Sequence, residues 1–505
     1  MSGINKNILR SMLIGSYIVV IGFCIFGISA IYGYLNSGAD RSSILHTELK
    51  KADQYLPKTT WAPLKNEGRS MDDQTLKMIE NDYLDAWYVK LVAYRSNKKR
   101  GIEDYYTNKA RQNIYNAIDL NLSEGTSMES TTLEHNPTLE FFSEDGQLVV
   151  LTDHNVIEYK RIYKGEALLL ETSEVSTYKV ILLLEDGFWR IRHMVKQDTQ
   201  EQKKETGLPV FIESKNIKGI NYYPQATPWD MFGVGFNIET IAKDFSIVKE
   251  AGLNNVRIFI PYDDFGKAKV KADKLEKLKQ ILDVAESQEL MVMITLFDFY
   301  GDYSVLDWTL NHRHAETIVS TFKNHDAILA WDIKNEPNLD FKSRDQSIVT
   351  AWLEHMLTLV KSIDPNHPAT IGWSNDESAI ILKDKVDFAS FHYYKKIDGL
   401  TATYKRLKIQ IPNKPVILTE YGISSYNGFW NFFGNSENDQ AQYHEKIQGI
   451  FSDNEIPYMS WTLYDFENVP KAVVGRLPWR RNIQQKFGFI STDGTKKISF
   501  KFISK

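Results

Sequence analysis

Hydrophobic and polar positions divide this chain into stretches of different texture. From Ser11 to Leu35 there is no charged side chain, and Ile, Val, Phe, Gly and Tyr dominate. About 20 apolar residues span a bilayer as a helix, so a transmembrane helix is predicted over 11–35. The run is longer than the apolar core of a secretory signal, about 7–15 residues, which disfavours cleavage near Ser29-Ala30. Lys6 and Arg10 precede it and no acid does. Residues 1–10 are therefore expected to form a cytoplasmic tail, with everything after the helix outside the cytoplasm. Residues 36–68 turn polar, contain Pro57 and Pro63, and read as a stalk.

Over 69–199 the pattern is first helical, then strand-like. Leu76, Ile79, Tyr83, Ala86 and Trp87 recur at helical spacing. Strand-like runs follow at Gln147–Leu151, Val156–Ile162, Ala167–Glu171, Ser176–Glu185 and Phe188–Val195, and Asp186-Gly187 separates the last two as a hairpin turn. Helices followed by an antiparallel meander give an α+β domain. Its closing stretch, Y-K-V-I-L-L-L-E-D-G-F-W-R-I, resembles the last hairpin of the NTF2-like (SnoaL-like) cone fold. That resemblance implies a pocket or a dimer surface, so residues 69–199 are the expected place for a dimer or protein partner.

A charged linker at 200–206 precedes a second texture over 207–505, short apolar runs alternating with amphipathic stretches. Strands are expected at 218–224, 254–261, 290–298, 328–336, 368–374, 388–394, 415–422 and 458–466. Ile238, Ile241, Phe245 and Val248 make one intervening helical stripe, and Leu275, Leu278, Leu282 and Ala285 another. Eight such strands in about 300 residues suit a (β/α)8 TIM barrel. A doubly wound open sheet fits less well, because no Gly-rich phosphate turn follows the first strand.

Composition narrows the chemistry. A net charge of -5 provides no basic footprint for nucleic acid. The single cysteine, Cys24, excludes a disulfide framework and a multi-cysteine metal site. Barrel enzymes carry working groups at the carboxyl ends of their strands. Those ends hold Arg257, Asp298, Asn335-Glu336, Trp373, His392-Tyr393-Tyr394, Glu420 and Trp461. Hydrolysing a glycoside requires a carboxyl pair, one group to protonate the leaving oxygen and another to attack or activate water.

The motifs at these positions resemble clan A glycoside hydrolases, most closely family 5, the cellulase and mannanase family. They are A-W-D-I-K-N-E-P-N at 330–338 and P-V-I-L-T-E-Y-G at 415–422, supported by N-V-R-I at 255–258, F-H-Y-Y at 391–394 and S-W-T-L at 460–463. The resemblance implies Glu336 as acid/base and Glu420 as nucleophile. It implies Asn335 on the sugar 2-hydroxyl, Arg257 and Tyr394 positioning Glu420, His392 lining the cleft, and Trp461 beneath the sugar with a cis peptide to Thr462. At the end of the third strand many family members carry a histidine where this chain reads L-F-D-F-Y-G-D-Y. Asp298 there is a candidate for a sugar hydroxyl or a loop cap. His312 and His314 lack a convincing third metal ligand. Tyr222, Tyr223 and Trp229 form an aromatic subsite or plug the barrel bottom, and Trp308 and Trp430 fall in predicted loops.

The expected activity is that of a membrane-anchored retaining β-glycoside hydrolase working outside the cytoplasm through a covalent glycosyl-enzyme, without a cofactor. Its expected partner is a β-linked glucan or mannan. A transglycosylase, or a carbohydrate-binding or polysaccharide-assembly scaffold with an inactive barrel, are the competing readings.

Overall fold

The structure is a computed structural model that describes residues 15–17, 19–25, 27–28, 55–202, 210–428, 431, 433–475 and 477–504. The predicted 11–35 span, most of the stalk, part of the linker and Trp430 lie largely or wholly outside them. No helix among the described residues is long and apolar enough to cross a membrane.

The N-terminal domain opens with short strands β1 (Lys58–Thr59) and β2 (Glu67–Gly68) and a helix at Asp73–Ser96. Asp72 caps that helix by accepting from the Thr75 amide. Its stripe of Ile79, Tyr83, Ala86 and Trp87 is fully buried against the sheet. The sheet is made of β3 (Thr126–Phe142), β4 (Leu148–Lys164), β5 (Ala167–Glu185) and β6 (Phe188–Glu201), paired antiparallel in that order. Asp186 and Gly187, with φ of 52° and 85°, form the β5–β6 turn, the pair of positive φ values that a type I′ hairpin needs.

Two sequence expectations change here. The runs read as four strands are two long ones, β4 and β5. Their polar stretches imitate turns: Thr152–Asn155 in β4, where the register shifts, and Thr172–Glu174 in β5, where it does not. The strand β3 was not expected at all, because its buried positions include Ser130, Thr131, Thr132 and His135, which carry no apolar alternation.

The second domain is a closed barrel of eight parallel strands: β7 (Lys218–Asn221), β8 (Asn255–Pro261), β9 (Met291–Asp298), β10 (Ile328–Asn335), β11 (Ala369–Trp373), β12 (Ala389–Tyr393), β13 (Val416–Tyr421) and β14 (Tyr458–Ser460). Each lies within an expected run. The last ends earlier than expected, since beyond Ser460 the chain leaves the ladder and Tyr464 bridges Ile490. The barrel interior is layered. Met293, Ala330, Ile417 and Met459 fill the floor. Above them lies a polar layer in which Arg257 meets Asp332. Every second residue of a strand faces the same way, so an acid two positions after Ala330 enters the barrel and must find a cation there.

The two domains touch. Tyr159 stacks on Trp308 with ring centroids 4.3 Å apart, and Arg161 Nη2 donates to Ser347 Oγ at 3.1 Å. Trp308 therefore begins a helix at this junction, not a loop beside the barrel mouth.

Candidate active site

The barrel mouth opens into a cleft of about 360 Å³, near the lower end of ordinary ligand sites. Tyr223, Trp229, Asp298, Asn335, Glu336, Tyr394, Glu420 and Trp461 line it, together with Phe259, Lys334 and Phe487. Of the residues singled out at strand ends, Arg257 lies one layer below and His392 behind the two glutamates.

Glu420 is the penultimate residue of β13 and is 5% exposed. Arg257 Nη1 donates to its Oε1 at 2.7 Å, and the Tyr394 hydroxyl donates to Oε2 at 3.1 Å. Arg257 is fixed in turn by Asp332 at 2.6 Å, Asn221 at 3.0 Å and Asn335 at 3.0 Å. Gly372 makes room for that cluster, since a Cβ there would stand 2.7 Å from Arg257 Nη2. Burial pushes the Glu420 carboxyl above the usual carboxylate range, against the pull of His392 and Arg257, and the neighbouring Glu336 adds to the rise. Tyr394 exposes part of its ring but buries its hydroxyl. Desolvation and the two carboxylates hold that hydroxyl's pKa well up, so it remains a donor.

Glu336 follows β10 in the left-handed region, at φ 47°, a conformation that a non-glycine residue keeps only where its surroundings hold it. Its amide donates to Gly372 O at 2.6 Å. His392 Nδ1 lies 3.0 Å from Glu336 Oε1 and 3.4 Å from Glu420 Oε2. One ligand atom from each of Glu336, His392 and Glu420 lies within 4.8 Å of the others. Carboxyl groups about 5–5.5 Å apart suit a retaining glycosidase, and about 6.5–9.5 Å an inverting one.

Trp461 forms another wall of the cleft, edge-on to Tyr223 and Phe259, and its peptide to Thr462 is cis. Asp298 accepts from the Tyr223 hydroxyl at 3.3 Å. Tyr223 and Trp229 thus belong to the mouth, whereas Tyr222 turns into the core and bonds Asp244. His312 and His314 go elsewhere. His312 faces His355 at 2.5 Å between Nε2 atoms, and His314 bonds the Lys267 and Leu296 carbonyls. Sequence reasoning missed Asn221, Asp332 and Lys334. The signal available for the last two was their alternation on β10 with Ala330 below them.

The family description "Cellulase (glycosyl hydrolase family 5)" matches residues 205–467. The chain belongs to glycosyl hydrolase family 5. This family 5 chain is 23% identical over 227 residues to mannan endo-1,4-beta-mannosidase A of Emericella nidulans, covering 35% of this chain and 59% of that one. It is 25% identical over 304 residues to beta-glucuronidase of Homo sapiens, covering 55% and 42%. The chain spans about half the length of the curated relatives it matches. Among solved structures, a GH5_18 protein from Streptomyces cattleya in complex with GlcNAc aligns with TM-score 0.46 and 15% identity over 57% of this chain and 78% of that one. An exo-beta-1,4-mannosidase from Opitutaceae bacterium strain TAV5 aligns with TM-score 0.46 and 16% identity, over 58% and 61%.

Proposed function

We propose that the barrel is a retaining β-glycoside hydrolase working by double displacement. The observation that carries this reading is the spacing of Glu336 and Glu420, within 4.8 Å through their ligand oxygens. Two carboxyl groups that close keep one proton between them. The ion pair with Arg257 supports the negative charge on Glu420, against the burial that raises its pKa, and in this reading Glu336 carries the proton. Glu336 protonates the leaving oxygen while Glu420 attacks the anomeric carbon. Glu336 then takes a proton from the water that releases the sugar. Asn335, held by Arg257, is placed for the 2-hydroxyl, and Trp461 for the sugar face. The residues present need no cofactor for these steps.

The substrate is a β-linked glucan or mannan, supported by the mannan-cleaving relatives. The uncharged run at 11–35 supports anchoring in the cell membrane with the barrel outside the cytoplasm. An NTF2-like reading of the N-terminal domain rests on its last hairpin and on helices packed along an antiparallel sheet.

Covalent trapping tests the mechanism. The full-length protein treated with 2-deoxy-2-fluoro β-mannosides and β-glucosides is expected to carry the label on the peptide containing Glu420, and Glu420→Gln is expected to lose it. Label on another residue, or turnover with inverted product, would sink the proposal.

A further inference from the structure

Along β10, alternate side chains climb the inside of the barrel. Ala330 joins the floor, Asp332 holds Arg257, and Lys334 reaches the cleft, which Asp298 also lines. The Lys334 side chain is only 1% exposed, with Nζ 3.9 Å from the Asp340 carboxylate. That carboxylate also accepts the Tyr303 hydroxyl at 2.6 Å. Burying an ammonium is costly unless acceptors face it, and an apolar residue would fill this position at no such cost. Lys334 is also the one Lys or Arg lining the cleft among the described residues.

The closed strand order supplies the direction. In the ring, β9 lies four strands from β13, so Asp298 stands across the mouth from Glu420, with Lys334 on the adjoining strand. A pyranose whose anomeric carbon meets Glu420 therefore turns its remote hydroxyls toward Asp298 and Lys334. An ammonium only donates and a carboxylate only accepts, whereas each hydroxyl of a vicinal diol does both. The two side chains together complement such a diol.

We propose that Lys334, acting with Asp298, determines specificity by binding the adjacent hydroxyls remote from the anomeric carbon of a neutral glycone. The inference rests on reading the cleft as a glycosidase site. Charge balance argues against an acidic sugar. Arg257 is committed to Asp332 and Glu420, and Lys334 is already faced by Asp340. Among the described residues lining this wall, a uronate carboxylate would meet Asp298, with Lys334 the one cation and Asp340 already facing it.

The test compares 2,4-dinitrophenyl β-mannoside and β-glucoside, their 3-deoxy and 4-deoxy analogues, and the matching β-glucuronide. Each is assayed with wild type, Lys334→Met and Asp298→Asn, after circular dichroism shows which variants are folded. On the preferred sugar, removing a contacted hydroxyl is expected to cost wild type about 10–100-fold in kcat/KM. Lys334→Met is expected to lose a similar factor on the parent sugar and less than about threefold more on the deoxy analogue, the mark of a shared interaction. Asp298→Asn should behave likewise, and it keeps the test decisive if Lys334→Met does not fold. Independent, multiplicative losses would overturn the proposal, and so would a wild type that prefers the glucuronide. Failure of the glycosidase reading shows separately, as no turnover of any compound and no label on Glu420. Calorimetry with methyl β-mannoside, methyl β-glucoside and their deoxy analogues then decides. Binding by wild type that the folded variant loses upholds the pair, and no binding by wild type overturns it.

Discussion

His392 in the barrel and His135 in the N-terminal domain each lie against a carboxylate, and of these two clusters only the barrel's borders a cleft. In the barrel, His392 lies behind Glu336 and Glu420, which line the cleft. In the N-terminal domain, His135 Nδ1 lies 2.6 Å from Asp153 and its Nε2 2.8 Å from the Thr132 hydroxyl, while the Tyr83 hydroxyl donates to Asp153 at 2.7 Å. Judged by hydrogen bonds alone, the second cluster has the order of a hydroxyl, histidine and acid relay. Yet Thr132, His135, Asp153 and Tyr83 are all fully buried, walled in by Trp87 and the Tyr55 hydroxyl. Geometry alone does not make a catalytic site. The difference is access, and with it the kind of energy each cluster supplies. The barrel cluster holds charge where a substrate can meet it. The sealed cluster satisfies buried polar groups that would otherwise destabilise the fold.

The largest effect expected to separate them is Glu420→Ala. It should lower kcat of the folded protein by about 10⁴-fold or more, measured by hydrolysis of an aryl glycoside. Glu336→Ala should cost about 10²–10⁴-fold on a substrate with a poor leaving group. Much of that loss should vanish with 2,4-dinitrophenol as leaving group, which needs no proton, and an equal loss on both would deny Glu336 its role as acid.

Asp153→Ala should do the reverse. Removing a buried acceptor leaves its donors unsatisfied, at about 1–3 kcal/mol each, so the denaturant midpoint should fall while kcat of the folded fraction stays unchanged. A loss of activity without loss of stability would mean the sealed cluster does chemistry after all. The smallest effect is a shift in pH profile. The raised Glu420 pKa puts the acid limb of kcat/KM above the ordinary glutamate value of about 4.3, with activity lost as pH falls through it. Arg257→Gln removes a cation that lowers that pKa, so the limb should move upward by about 1 pH unit or more. A limb that stays in place would show that Arg257 does not set the charge on Glu420.

Much of the barrel was readable before any coordinate. Parallel strands are buried on both faces, so they appear as short apolar runs, and V-I-L-T-E-Y or I-L-A-W-D-I-K-N announces both the strand and the polar residue at its end. The helical stripe of Ile241, Phe245 and Val248 was readable for the same reason, since all three are buried. The strand β3 was not, because a buried face of Ser130, Thr131, Thr132 and His135 mimics a loop until its partners on β4 and the helix before it are known. Lys334 was overlooked because a lysine in isolation reads as a solvated side chain, and only the alternation along β10 turns it inward.

The sequence by itself determined the strand runs, the helical stripes and which glutamates end their strands, since those follow from local periodicity and the burial it implies. Only the tertiary structure decided that Glu336 and Glu420 meet, that Arg257 reaches Glu420 through the polar layer, and that His135 backs a sealed cluster while His392 backs the two glutamates of a cleft. Those outcomes depend on ring closure and on what packs above each side chain. Both join residues far apart in the chain, where no local pattern carries the information.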